Sequence, residues 1–366
     1  MIPVTKPYLP SRKKLDKYID GIYERNWITN NGPLVQELTK RLEEYLEVEN
    51  LLLVANGTLA LQIAYRALGI NEAVNGKPAE AITTPFTFVA TSSSLKWEGV
   101  EPVFADIDPD TWCMAPQNIQ SAITPQTRSI VPVHVFGNAC EVEEIQTIAD
   151  KRDLQVIYDA SHAFGVRHKD ESLLKWGDAA TLSFHATKVF HTIEGGAIVF
   201  KRRDDLEKAR ALINFGITGA GEVGALGINA KMSEFNAAMG LCMLDEMECN
   251  NEGRAAAWTA YAGGLQGCGT FQVWNARATQ NYAYFPFALK NESQLLQALG
   301  VLREGGVSAR RYFYPSLDQL FQFKSTHLRP SANSYDLANR ILCLPLYAGI
   351  ESSTSQRIIN LIKSIT

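Results

Sequence analysis

The sequence predicts an α/β protein: a large α/β/α sandwich domain with a mostly parallel sheet over residues 1–250, then a smaller C-terminal α+β domain over 251–366. Two observations predict it. Between residues 51 and 200, short apolar runs alternate with stretches of helical periodicity, as when strands are joined by crossover helices that cover both faces of a sheet. Near residue 250 the alternation stops, and a strand-like run at 282–289 leads into the helical stretches Glu292–Glu304 and 353–365.

The elements follow in order. Thr29-Asn30-Asn31-Gly32-Pro33 is rich in turn formers; it ends a short N-terminal segment and starts a helix that reaches about Leu46. An apolar strand, 51–55, breaks at Asn56-Gly57-Thr58, after which Leu59, Ile63 and Ala67 recur at helical spacing. Further strand-like runs occupy 81–84, 102–105, 129–135, 156–158, 179–184 and 197–200, with helical stretches such as 142–151 between them. No internal repeat or low-complexity segment interrupts this pattern.

Composition narrows the function. With 366 residues, 46% hydrophobic and 20% charged, the chain can bury a large core. A net charge of −4 gives no field that favours nucleic acid or an anionic membrane, so an anionic substrate has to be held by local groups. Six cysteines without CxxC spacing argue for reduced thiols and against a zinc site. No run approaches the roughly 18 to 20 apolar residues of a membrane span, and the N-terminus lacks the apolar core of a signal peptide. The expectation is a soluble, cytoplasmic protein that binds neither metal, membrane nor nucleic acid.

Three local signals carry chemistry. Gly57-Thr58 follows a strand and opens a helix, where backbone N–H groups and the helix dipole converge on an anion; the same turn also reads as an ordinary helix cap. Asp159 ends an apolar strand, at the edge where open α/β sheets bind ligands; it too reads as a cap. Lys188 lies on the loop beyond Ser183, and Glu194-Gly195-Gly196 turns the chain into the next strand. A lysine, an acid at a strand end and a phosphate-ready helix start, all at one sheet edge, are what pyridoxal 5'-phosphate (PLP, or PMP in its aminated form) requires.

The chain resembles the DegT/StrS-type nucleotide-sugar aminotransferases, a branch of the fold type I PLP enzymes. The resemblance runs from Asn30-Asn31-Gly32-Pro33 to Leu344-Pro345-Leu346. Between them it includes Asn56-Gly57-Thr58-Leu59-Ala60-Leu61, Thr84-Pro85-Phe86-Thr87-Phe88-Val89-Ala90-Thr91, Pro102-Val103-Phe104-Ala105-Asp106-Ile107, Pro132-Val133-His134-Val135-Phe136-Gly137, Asp159-Ala160-Ser161-His162, Ser183-Phe184-His185-Ala186-Thr187-Lys188 and Asn229-Ala230-Lys231-Met232-Ser233-Glu234.

The resemblance implies a role for each of these residues. Lys188 would form the Schiff base and shuttle the proton. Asp159 would pair with the pyridine nitrogen, and Gly57, Thr58 and Ser183 would bind the phosphate. Phe88 would stack on the ring, and Asn229 would reach the phosphate from the partner subunit of an obligatory homodimer. His162 stands where many members have Gln near the phenolic oxygen. His185 is open between proton shuttling, lining the sugar pocket and a structural role. Lys231 and the run Arg310-Arg311-Tyr312-Phe313-Tyr314 are candidates for holding a diphosphate or sugar hydroxyls. An intact Lys188 separates the chain from the dehydratase branch, which carries histidine there.

Two motifs are set aside. Gly219-Ala220-Gly221-Glu222-Val223-Gly224 matches GxGxxG without the strand and compact βαβ unit that a dinucleotide site needs, so it reads as a flexible loop near the substrate mouth. Lys201-Arg202-Arg203 runs at once into Asp204-Asp205 and reads as a mixed surface turn.

The expected reaction moves the amino group of L-glutamate to a nucleotide-linked keto-6-deoxy sugar. The favoured substrate is dTDP-4-keto-6-deoxy-D-glucose at C4, for O-antigen or another glycan, ahead of the C3 isomer or a UDP-linked sugar. A non-enzymatic binding protein of the same fold and an amino-acid lyase are the rival classes.

Overall fold

The structure, a computed structural model, describes residues 1–323 and 331–366. Its centre is a seven-stranded sheet of β1 (Leu51–Val54), β2 (Glu80–Thr83), β3 (Glu101–Phe104), β4 (Thr127–Val131), β5 (Gln155–Asp159), β6 (Ala179–Ser183) and β7 (Gly196–Phe200), in the order β1-β7-β6-β5-β4-β2-β3. The pairs from β6 through β5, β4 and β2 to β3 are parallel. β7 alone runs the other way, antiparallel to both β1 and β6. Every other strand therefore ends at one common edge.

Side chains alternate across the strands and feed two cores. Leu51 and Leu53 of β1, with Ile82, Ile130, Val156, Ala180 and Val199, face a core shared with α2 (Pro33–Leu46), α6 (Val142–Arg152) and α8 (Glu234–Leu244). Leu52 and Val54, with Ala81, Val131, Ile157, Ala179 and Ile198, face the other core, built on α3 (Gly57–Ala67) and α7 (Arg203–Leu212). Two buried faces explain why the strands read as continuous apolar runs. Each large aliphatic side chain so buried contributes about 1.5–3 kcal/mol.

A third core lies towards the C-terminus. The antiparallel pair β8 (Phe285–Ala288) and β9 (Ile341–Leu344) packs Phe285, Phe287, Leu342 and Leu344 with Tyr261 of α9 (Met247–Gly264), Leu295 of α10 (Glu292–Glu304) and Ile358 of α12 (Ser352–Lys363).

Some sequence expectations change. The segment before Thr29 contains a full helix, α1 (Arg12–Arg25). In the run at 129–135 the strand β4 ends at Val131, since Pro132 has no N–H to donate; Val133 keeps one parallel bridge to Asp159, and a 3-10 turn, Val135–Gly137, follows. The strand expected at 282–289 is shorter, since Tyr282 sits at φ 52°. The GxGxxG segment forms an exposed hairpin, Ile217–Gly219 with Glu222–Val223, away from the cleft described next. Lys201-Arg202 is an exposed bend that leads straight into α7, whose buried Asp205 pairs with Arg202 and Lys208. All six cysteines are free, and among the described residues no helix is long and apolar enough to cross a membrane.

Candidate active site

The common edge of the sheet opens into a cleft of about 350 Å³, lined from β1 and α3 by Asn56, Gly57 and Thr58, from β5 by Asp159 and His162, and from β6 and its loop by Ser183, His185 and Lys188. At its rear, Asn56 caps α3, its side-chain oxygen accepting the Leu59 N–H at 2.9 Å. That leaves the Gly57 and Thr58 N–H groups, at the positive end of the helix, without an intrahelical acceptor. Two glycines bring the elements together here. A Cβ on Gly57 would lie 2.8 Å from the Ser183 Cβ, and one on Gly196 would lie 2.7 Å from the Asn56 carbonyl carbon and 2.8 Å from the Leu182 oxygen.

Asp159 is buried, and its carboxylate is fixed from both sides. Oδ2 accepts the Thr91 hydroxyl at 2.8 Å and Oδ1 accepts the Ser161 N–H at 3.1 Å. Thr91 lies in α4 (Ala90–Trp97) and shares a further hydrogen bond with Thr87. Lys188 follows Ser183 through a tight turn closed by its own N–H donating to the His185 carbonyl. Its Nζ donates to the Tyr284 hydroxyl at 3.4 Å. Burial strips water from the ammonium and lowers its pKa to about 8, against the opposing pull of Asp159. The result is an amine whose neutral fraction near physiological pH is far larger than that of a solvated lysine.

His162 is buried in an aromatic cage. Its ring lies nearly parallel to Phe136 and Phe313, with centroids 6.2 and 5.8 Å away, and edge-on to Tyr284. The Phe136 N–H donates to Nδ1 at 3.1 Å. Burial, reinforced by Lys188, holds the imidazole well below its usual pKa. A neutral ring that accepts at Nδ1 carries its proton on Nε2, so His162 is a fixed donor.

The cleft thus gathers Lys188, Asp159, Gly57, Thr58, Phe88, His162, Ser183, His185 and Tyr312. It does not gather Asn229, Lys231 or Tyr314. Asn229 is exposed beside Asn214. Lys231 lines a separate cleft with Asn30, Asn31 and Asn214 and donates to Asn214 Oδ1 at 3.0 Å. Tyr314 lies under the Arg311 guanidinium, 3.4 Å from its ring centroid. Sequence reasoning missed Thr91, Tyr284 and Phe136. A polar Ala90-Thr91-Ser92-Ser93-Ser94 stretch opening a helix was the available signal for Thr91; Tyr284 had none beyond its strand.

A neutral-poised lysine, a buried and oriented carboxylate and a free helix N-terminus at one sheet edge fit a pyridine ring bearing a phosphate, and they define a PLP-dependent transferase of the fold type I class. Comparison with known proteins gives the family. The sequence profile of the DegT/DnrJ/EryC1/StrS aminotransferase family matches residues 11–363, and the chain belongs to it. It is 40% identical to the dTDP-4-amino-4,6-dideoxy-D-glucose transaminase of Shigella dysenteriae, covering 99% of this chain and 98% of the relative. It is 38% identical to the Escherichia coli protein of the same name, with the same coverage. Among solved structures, DesI crystallised in the presence of its TDP-sugar product superposes with a TM-score of 0.92 at 32% identity, over 99% of this chain and 92% of that one. The protein is a PLP-dependent aminotransferase.

Proposed function

We propose that this enzyme transfers the amino group of L-glutamate to carbon 4 of dTDP-4-keto-6-deoxy-D-glucose. The observation that carries this reading is the end-to-end likeness to two transaminases named for the corresponding 4-amino-4,6-dideoxy product. When bound, PLP supplies an electron sink that lets a C–H bond beside nitrogen break heterolytically.

The chain's own residues do the rest. Lys188 Nζ would hold the cofactor covalently and would move the proton to and from the substrate carbon. Asp159, aligned by Thr91 and Ser161, would pair with the pyridine nitrogen and keep it protonated. The Gly57 and Thr58 N–H groups and the Ser183 hydroxyl hold the phosphate. Phe88 would cover the ring, and His162 Nε2–H would donate to the phenolic oxygen. His185 and Tyr312 line the substrate end.

The working unit is a homodimer in which Asn229, and Lys231 beside it, serve the partner's site. Support comes from their position outside their own cleft, next to the exposed apolar side chains of Phe215, Ile217, Leu226 and Ile228, a patch of the kind that marks an interface. The six free thiols suit the cytoplasm. The division between the domains falls within α9, since the third core begins with Ala257. The product is an activated glycosyl donor, suited to O-antigen or another surface glycan.

The test is incubation with L-glutamate and dTDP- or UDP-linked 3-keto and 4-keto 6-deoxyhexoses, read by product mass and NMR. The reading requires an amine at C4 of the dTDP sugar; an amine at C3, or preference for UDP, would sink it.

A further inference from the structure

Resting on that reading, we propose that Arg310 is a shared anion anchor, binding a carboxylate of the amino donor in one half of the cycle and a phosphate of the nucleotide sugar in the other. The reading of the reaction requires the cleft to accept two unlike anions in turn, a dicarboxylic amino acid and a diphosphate ester. Among its described lining residues only Lys188 and Arg310 carry an amine or a guanidinium, and Lys188 is committed to the cofactor on that reading. Arg310 is the group left over.

Its surroundings keep it available. The Arg310 backbone is clamped to β9, its N–H donating to the Cys343 carbonyl at 3.2 Å and its carbonyl accepting the Cys343 N–H at 2.7 Å. The side chain, by contrast, is exposed and makes one contact with a neutral partner, Nη1 to the Tyr312 hydroxyl at 3.3 Å. No carboxylate pairs with it among the described residues, and residues 324–330 contain no acid. Arg311 next door is the contrast. It is bonded to Glu292 at 2.9 Å and to the carbonyls of Ala338 and Asn339, and it stacks on Tyr314.

Two tyrosines connect Arg310 to the reacting amine. Tyr312 meets Tyr284 edge-on, at 6.0 Å between centroids, and the Tyr284 hydroxyl accepts from Lys188 Nζ. In glutamate the side-chain carboxylate, and in a nucleotide-linked hexose the nearer phosphate, each lie a few bonds beyond the carbon that exchanges the amine. A guanidinium lining the same cleft as that carbon can meet either with its planar pair of N–H donors.

The experiment uses holoenzyme, wild type and the variants Arg310→Gln and Arg310→Lys. Calorimetry gives the affinity of glutarate, a dicarboxylate without an amine, and of thymidine diphosphate. Single-turnover absorbance gives the dissociation constant and limiting rate for L-glutamate. In wild type, glutarate and thymidine diphosphate should exclude one another. In Arg310→Gln both should bind at least about tenfold more weakly, and Arg310→Lys should recover part of the loss for each. The limiting rate at saturating glutamate should stay within about twofold, because proton transfer belongs to Lys188.

Weakening of only one ligand, simultaneous binding of both, or a fall in limiting rate with unchanged affinity would each overturn the shared anchor. If wild type fails to react with glutamate, the donor assignment above fails instead, and the two calorimetric titrations still decide the role of Arg310.

Discussion

Lys188 shows how burial sets reactivity. Its amine loses water to the cleft and titrates near pH 8, where a solvated lysine titrates near 10.4. Only the neutral amine attacks the cofactor's aldehyde. The rate at which apoprotein takes up PLP, followed by absorbance, should therefore rise through pH 8 and level off by about pH 9; a rate still climbing beyond pH 10 would mean that the amine is solvated. On the proposed role, Lys188→Ala removes both the covalent attachment and the proton carrier. Its turnover should fall by at least about a thousandfold, consistent with the usual weight of a positioned acid–base group plus the lost linkage, while the fold and non-covalent cofactor binding survive. Residual activity near wild type would remove Lys188 from the mechanism.

Among the elements, β7 does the most to shape the phosphate end. It is the one reversed strand of the sheet and starts at Gly196, wedged between the ends of β1 and β6. Any Cβ there meets backbone on both sides, Asn56 on one and Leu182 on the other, and backbone cannot turn aside as a flexible side chain can. Gly196→Ala should destabilise the fold by about 1–3 kcal/mol, the usual range for overpacking, and should weaken cofactor affinity by shifting the Asn56 turn. Urea unfolding and a PLP titration measure the two effects, and a variant unchanged in both would show that the turn tolerates the shift.

The same element explains what could be read from the chain alone. Gly57, Asp159, Ser183 and Lys188 were legible because each ends or follows a strand, so sequence position already fixed the edge on which it lies. Tyr284 and Arg310 come from the C-terminal strand region, more than a hundred residues from Asp159. Only tertiary packing brings them to the cleft, and no local pattern announces it. Arg310 and Arg311 are indistinguishable as letters; Glu292 and Tyr314 separate them in space.

At the scale of the whole molecule, the burial of histidine predicts how the fold responds to acid. His134, His162 and His191 are all buried, and desolvation is the leading cause that lowers the pKa of each, His134 to about 3. His134 accepts the Cys140 N–H at Nδ1 and stacks on Tyr158 at 4.6 Å, with no acid to stabilise a charged ring. In the unfolded chain these rings titrate near pH 6.5. Above that pH neither state binds the protons and the histidines leave stability unchanged. Below it the unfolded state takes up protons that the folded state refuses, so stability falls as pH falls, by up to ~1.4 kcal/mol per pH unit for each fully buried ring. The loss should begin near pH 6.5, well above the range in which most carboxylates titrate, which separates it from ordinary acid unfolding. Urea midpoints at pH 7.5, 6.5 and 5.5 should be nearly level over the first interval and drop clearly over the second. Replacing His134 by Asn, which takes up no proton in this range, should flatten the second interval by about one ring's share even if the variant is less stable throughout. Equal midpoints at pH 7.5 and 5.5 would mean that the buried rings accept protons in place, contrary to the dry surroundings the structure gives them.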